Sequence, residues 1–253
     1  MSALTRRGLI GSLGVGAGGL LLSGCDRIAA APKVQEVLGL GEGLTMRAQR
    51  LVTDRTALAR EYKASDMSPV FRTNGNTMPA SDAYQAHVRN GFADWRLAVD
   101  GLVRRPQALS LAQIRAMPAR TQITRHDCVE GWSAIGKWHG LPLKLALDAA
   151  GVLPSARYVV FHCADDFGGD PYYESVDLVD AYHPQTILAW GMNDQPLGVG
   201  HGAPLRLRLE RQLGYKQAKY VMRVEAVDSL GRIGGGKGGY WEDSANYQWY
   251  AGI

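Results

Sequence analysis

From residue 64 onward, strand patterns and helix patterns alternate in short pieces without a regular strand–helix–strand rhythm. That irregularity constrains the fold more than any single motif. A doubly wound sheet needs a crossover helix after each strand, whereas intermixed short elements fit a mixed α+β domain with small surface helices. Trp95 to Val99, Asp100-Gly101 and Leu102-Val103 read as strand, turn, strand. Ser110, with Gln113 three residues on, opens a short helix that Pro118 stops. Residues 121–127 are extended, and Pro142 and Gly151 bracket a helix of Leu143, Leu145, Leu147 and Ala150. Residues 158–163 form an apolar strand, Ser175 to about Tyr182 a short helix, and Tyr220 to Val227 a strand. Leu205, Leu207 and Leu209 alternate with Arg206, Arg208 and Glu210, a strand with one buried face and cations on the other. Residues 64–253 are numerous enough to bury a full core.

The N-terminal part reads differently. Residues 1–24 carry Arg6-Arg7 and no acid, then a weak, glycine-rich apolar run. Such a segment is an export signal of the twin-arginine type, too glycine-rich for a comfortable spanning helix. Leu22-Ser23-Gly24-Cys25 resembles a bacterial lipobox, which predicts a lipid on Cys25 and a periplasmic, membrane-anchored protein. Ordinary cleavage nearby is the alternative. Residues 26–43 suit a tether, and Leu44, Ala48, Leu51, Leu58 and Tyr62 recur at helical spacing, so residues 25–63 are expected to be tether and helix. Without the signal the formal net charge drops from +4 to +2, too little to argue for nucleic acid as a partner.

Cys128 stands in Arg125-His126-Asp127-Cys128-Val129-Glu130-Gly131-Trp132-Ser133, among charges rather than apolar neighbours. A thiolate used for metal binding wants positive charge nearby, and Arg125 and His126 offer it. Paired cysteine or histidine spacings for structural zinc, and the cysteine sets of haem or iron–sulfur attachment, do not occur. A single thiolate then needs ligands that the protein does not supply, and an organic dithiolene would provide them. Cys163, in the apolar run Val159-Val160-Phe161-His162-Cys163, reads as packing. Lys216 and Lys219, beside Gly214 and Tyr215, suit a phosphate-bearing ligand or, equally, a solvated cationic loop. The run Gly231 to Gly238 has phosphate-loop spacing, yet Gly238 replaces the hydroxyl residue and no nucleotide fold can follow.

Four segments in order resemble the molybdopterin domain of sulfite-oxidase-like enzymes, which include the catalytic subunit of the periplasmic methionine sulfoxide reductase. They are Phe71-Arg72-Thr73-Asn74-Gly75-Asn76 with Pro79 and the following Trp95 to Leu102, Cys128-Val129-Glu130, Ala189-Trp190 through His201 to Arg206, and Gly214-Tyr215-Lys216 with Lys219. The resemblance implies a sulfite-oxidase-like fold of mixed β-sheets over residues 64–253. It implies Cys128 as the molybdenum ligand, with Asn74, His126, His201, Arg206, Gly214, Tyr215, Lys216 and Lys219 around a molybdopterin. Glu130 would handle protons, or be an exposed glutamate with no role, and Trp190 would face the metal. Trp132, Trp138 and Trp190 would line an apolar pocket, although core packing explains tryptophans as well. Sulfite oxidases carry an arginine where this chain has Ser133 and a tyrosine where it has Trp190, so the resemblance implies a different substrate.

The sequence therefore predicts an exported molybdenum–molybdopterin oxidoreductase. Its substrate would be small or protein-borne, such as a sulfoxide. A membrane haem protein or periplasmic cytochrome would exchange its electrons. The alternative is a non-enzymatic periplasmic lipoprotein, a binding or assembly module, with a zinc hydrolase a distant third.

Overall fold

The computed structural model describes residues 31–253. The expected export signal and Cys25 lie outside the described residues. The chain divides into two units, Met1–Val52 and Thr53–Ile253.

In the first unit a helix, α1, runs Pro32–Val52. It begins inside the span expected to be a tether, with a proline in its first turn, where a missing N–H costs nothing. It also stops short of the predicted end at Tyr62. Residues 59–62 are used otherwise. The Tyr62 N–H donates to the Ile123 carbonyl, Glu61 bridges Thr124, and the Gln185 side chain holds both backbone groups of Ala59. Tertiary pairing overrides the helical spacing of Leu58 and Tyr62. Among the described residues no helix is long and apolar enough to cross a membrane.

The second unit is built on two sheets. The first takes β1 (Arg96–Gly101), β2 (Gln107–Ser110), β5 (Tyr158–Phe167), β6 (Asp170–Asp177) and β10 (Val221–Val227) in the order β2-β1-β10-β5-β6, with β1 and β10 parallel. The second takes β3 (Arg120–Asp127), β4 (Ser133–Pro142), β7 (Ile187–Met192) and β8 (Gln195–Pro196) in sequence order, and β9 (Arg206–Arg208) pairs with β7. The helices are short: α2 (Asp82–Arg89), α3 (Leu111–Ala116), α4 (Leu143–Ala150), α5 (Leu178–Ala181) and α6 (Tyr240–Ala245). One apolar core joins the sheets, with Leu97, Val99 and Phe161 from the first, Leu141 and Leu188 from the second, Leu143 and Leu147 of α4, and Trp95 just before β1. This is the expected α+β architecture.

Local chemistry explains most boundaries. Ser110 caps α3 and Gln113 returns the bond, as its spacing predicts. Gly151, at φ 70°, closes α4. Three expectations fail. The turn expected at Asp100-Gly101 is not there: β1 runs through Gly101 and pairs antiparallel with β2, Arg96 opposite Ser110. Ser175 lies in β6 opposite Val160, and α5 starts only after Asp177, whose carboxylate accepts from the Asp180 N–H. Finally, the cation face of β9 is not a surface, since Arg206, Arg208 and Glu210 are all buried.

Candidate cofactor site

Strands β3 and β4 form a hairpin whose tip, residues 128–132, presents the cysteine. The Cys128 N–H donates to the Trp132 carbonyl at 2.9 Å, and the Gly131 N–H returns to Cys128 at 3.0 Å. Gly131 takes φ 84°, a conformation that glycine adopts without strain. Alternation along β3 puts His126 and Cys128 on the inner face and Arg125 on the outer one. Cys128 opens into a cavity of about 170 Å³ that Asn74, Glu130, Asp165, Gly214, Tyr215 and Lys219 also line.

The electrostatics differ from what the neighbouring residues suggest. Arg125 is exposed and spends its guanidinium on Asp127 at 2.7 Å and Ser133 at 3.1 Å. Burial, helped by Arg206 and Arg208, drives the pKa of His126 down to about 2, so this imidazole is neutral. Neither residue supplies the expected positive charge. Burial pushes the Cys128 thiol up, and the cation opposing that shift is Arg206, which comes from β9. Arg206 is fully buried, and burial lowers its pKa to about 9, still charged at neutral pH. Its Nη1 donates to the His201 carbonyl at 3.3 Å, while Nε and Nη2 have no protein partner.

Further buried polar atoms nearby are left open: Asn74 Oδ1, His201 Nδ1, Asp165 Oδ1 and His126 Nε2. On His126, Nδ1 faces both Arg208 Nη1 at 3.1 Å and the Gln217 Oε1 at 3.3 Å, which leaves Nε2 as the nitrogen without a protein partner. Buried donors and acceptors are normally paired, so this cluster of orphans marks a place where a polar ligand completes the bonding. Its composition, a guanidinium with two free N–H groups beside amide, imidazole and carboxylate atoms, fits an anionic heterocycle such as a phosphate-bearing pterin. A second observation agrees. A Cβ on Gly214 would stand 2.5 Å from Cε1 of His126, so only glycine lets the ring lie there.

Other expected residues are placed differently. Lys219 lines the cavity, but its ammonium donates to the carbonyls of Asn74, Asn76 and Gly200 and so fastens the Asn74–Asn76 loop instead of offering free donors. Lys216 is fully buried, paired with Glu174 and, at 2.7 Å, with Glu242; it does not line the cavity. Trp190 lines a separate cleft of about 520 Å³ with Thr121, Lys137 and His139. Thr121 precedes Cys128 by seven residues of strand, roughly 23 Å at ~3.3 Å each, so Trp190 is not at the metal position. Trp132 and Trp138 do gather near the site, both packing their edges against Phe71 at 6.1 and 5.3 Å. Phe71 also meets the rings of His126 and His201, a hub that the sequence did not single out. Asp165, Arg208, Trp241 and Tyr247 were missed too. Only the alternation of β9 hinted at Arg208.

The glycine-rich run closes on the protein itself. The N–H groups of Gly235 and Lys237 donate to the Asp243 carboxylate at 2.7 and 3.0 Å. The anion in this nest is a side chain of the same chain. Among the described residues, no three His, Cys, Asp or Glu side chains converge to hold a metal ion.

A family model described as oxidoreductase molybdopterin binding domain matches residues 84–230. The chain belongs to that family. YedZ1 of Azospira oryzae, a putative protein-methionine-sulfoxide reductase subunit, is 44% identical over 195 residues, covering 76% of this chain and 70% of that one. The sulfane dehydrogenase SoxCD of Paracoccus pantotrophus shares the fold, with a TM-score of 0.52 at 21% identity over 60% of this chain. The match covers 41% of the SoxCD chain. As a member of the molybdopterin-binding family this chain is an enzyme, an oxidoreductase of the sulfite-oxidase-like group.

Proposed function

We propose that this oxidoreductase binds molybdenum–molybdopterin through Cys128 and performs oxygen-atom transfer, or related two-electron chemistry, on a small or protein-borne substrate such as a sulfoxide. The carrying observation is one buried thiol that opens into a polar-lined cavity while the buried, half-unpartnered Arg206 acts on it electrostatically from behind the wall. When bound, the molybdenum–pterin would supply the two-electron redox chemistry.

The chain's own residues would do the rest. Arg206 and His201 would donate to the pterin's anionic atoms, and Asn74 and Asp165 would accept from its N–H groups. Tyr215 and Gly214 line the same wall. Phe71 and Trp132 exclude water from the His126 side. Glu130 lies at the hairpin tip, where its Oε2 accepts from Trp132 Nε1 at 2.9 Å, and it is the carboxylate placed to hold a proton for the substrate. Ser133 donates to Asp127 at 2.5 Å and puts no cation beside the cysteine, which favours a neutral substrate over sulfite. The 44% identical relative is named as a subunit, which supports a separate redox partner, a membrane haem protein or periplasmic cytochrome. Arg6-Arg7 and the Leu22–Cys25 lipobox support export by the twin-arginine route and lipid anchoring at Cys25 on the periplasmic side.

Elemental analysis tests the reading. Chain matured in a host that makes the pterin should carry about one molybdenum or tungsten, and Cys128→Ser should lose it while keeping its circular dichroism spectrum. Wild-type protein free of both metals, or full metal in the variant, would overturn the assignment. A panel of sulfoxides, N-oxides and sulfite then sorts the substrate.

A further inference from the structure

The family match ends at residue 230, but the pocket does not. Trp241 and Tyr247 form part of the cavity wall around Cys128. They stack on each other at 6.0 Å and 28°, and each packs edge-on against another wall residue, Trp241 on Phe167 at 5.1 Å and Tyr247 on Tyr215 at 5.0 Å. The segment after residue 238 therefore adds two aromatic rings to a wall that already holds Phe167, Tyr172 and Tyr215.

The end of this segment pairs with the body through backbone bonds, Leu213 N–H to the Ala251 carbonyl and Ile253 N–H to the Arg211 carbonyl, and its start is held by a less usual contact. Glu242 of α6 enters the interior and meets Lys216, which also meets Glu174, and all three side chains are buried to within 1%. The second carboxylate oxygen of each glutamate has no partner. Apolar residues of the same volume would bind the segment as well or better, because burying ions costs several kcal/mol each before they pair. A buried charge cluster instead specifies one seating and penalises every other. On the approach to α6, Gly234, Gly236 and Gly238 all take positive φ; Gly235 and Lys237 donate to Asp243 of α6, so the run would move together with that helix once the Ser175 bond to the Gly238 carbonyl opens. The cavity, about 170 Å³, is smaller than the ~300 Å³ at which cofactor sites begin.

We propose that residues 239–253 are a flap over the pterin pocket, opened for loading and latched shut by Glu242 on Lys216. Lys216 then retains the cofactor without touching it, as a positioning residue. The proposal rests on the pterin reading above.

Two readouts test it, neither of them activity. Amide hydrogen exchange in residues 239–253 should be faster in unloaded than in loaded wild-type protein, with the central strands unchanged. In loaded Glu242→Gln and Lys216→Met, the flap should exchange as fast as in unloaded protein. Both variants should release pterin, followed by its fluorescence, at least about tenfold faster than wild type. A merely structural cluster would lower the melting temperature in both loading states alike and leave release unchanged; that outcome sinks the flap. Equal exchange in loaded and unloaded wild type also sinks it, and this comparison decides alone if neither variant folds. Wild-type protein that takes up no pterin overturns the cofactor reading instead; flap exchange in unloaded Glu242→Gln at the wild-type rate then counts separately against the latch.

Discussion

Arg206 carries the positive charge that the sequence around Cys128 suggests and its immediate neighbours do not deliver. Arg125 is covalently closer but points to the other face of β3, and His126 is buried as a neutral ring. Strand alternation decides the first and desolvation the second, and neither shows in a list of neighbouring residues. Replacing Arg206 with Met removes two open donor nitrogens and the cation that opposes the rise of the thiol's pKa. A hydrogen bond to a charged group is worth about 1.5–3 kcal/mol, so pterin affinity should fall roughly tenfold to a hundredfold with the fold retained. Pterin content per chain after dialysis checks this, and wild-type retention would remove Arg206 from the site. The two lysines show the opposite lesson. Their spacing suggested a phosphate grip, yet three carbonyls occupy Lys219 and two carboxylates occupy Lys216.

At the scale of elements, capping chemistry was legible and sheet pairing was not. Ser110 with Gln113, and Pro142 with Gly151, mark α3 and α4 because those signals are complete within a few residues. The false turn at Gly101 arose because that glycine answers a partner distant in sequence: a Cβ there would stand 2.3 Å from the Ala226 carbonyl. Gly140 is the same kind of residue. It sits at the irregularity where β4 meets β7, and a Cβ would come within 2.3 Å of the Leu188 carbonyl and 2.5 Å of the Ala189 Cα. Backbone cannot give way as a side chain can. Gly140→Ala should therefore cost about 1–3 kcal/mol, read from the denaturant midpoint at unchanged slope. A neutral result would mean that β4 and β7 separate there freely.

On the scale of the whole molecule, distant segments are joined by buried polar groups that titrate. His183 links residue 57 to the body: its Nε2 donates to the Ala57 carbonyl at 3.0 Å and its Nδ1 accepts from the Gln185 N–H at 3.2 Å. Burial holds its pKa below the usual 6.5, and both nitrogens are employed in the neutral form. The unfolded chain takes a proton below about pH 6.5 and the folded chain resists it, so this stability is present above that pH and lost as pH falls. Melting temperature should thus decline between about pH 7 and 5, and His183→Gln should flatten part of the decline. Identical pH slopes in both proteins would show that His183 does not contribute. The sequence by itself determined the α+β class and several helix ends and singled out Cys128 as a candidate, because periodicity, caps and a lone thiol among charges are local signals. Only the tertiary structure decided which cation acts on that thiol, that Lys216 lies in a buried ion cluster, and that Trp241 and Tyr247 line the same cavity as Cys128. Those facts depend on which strand faces are covered and which distant residues meet, and burial energies act on neighbours in space, not in sequence.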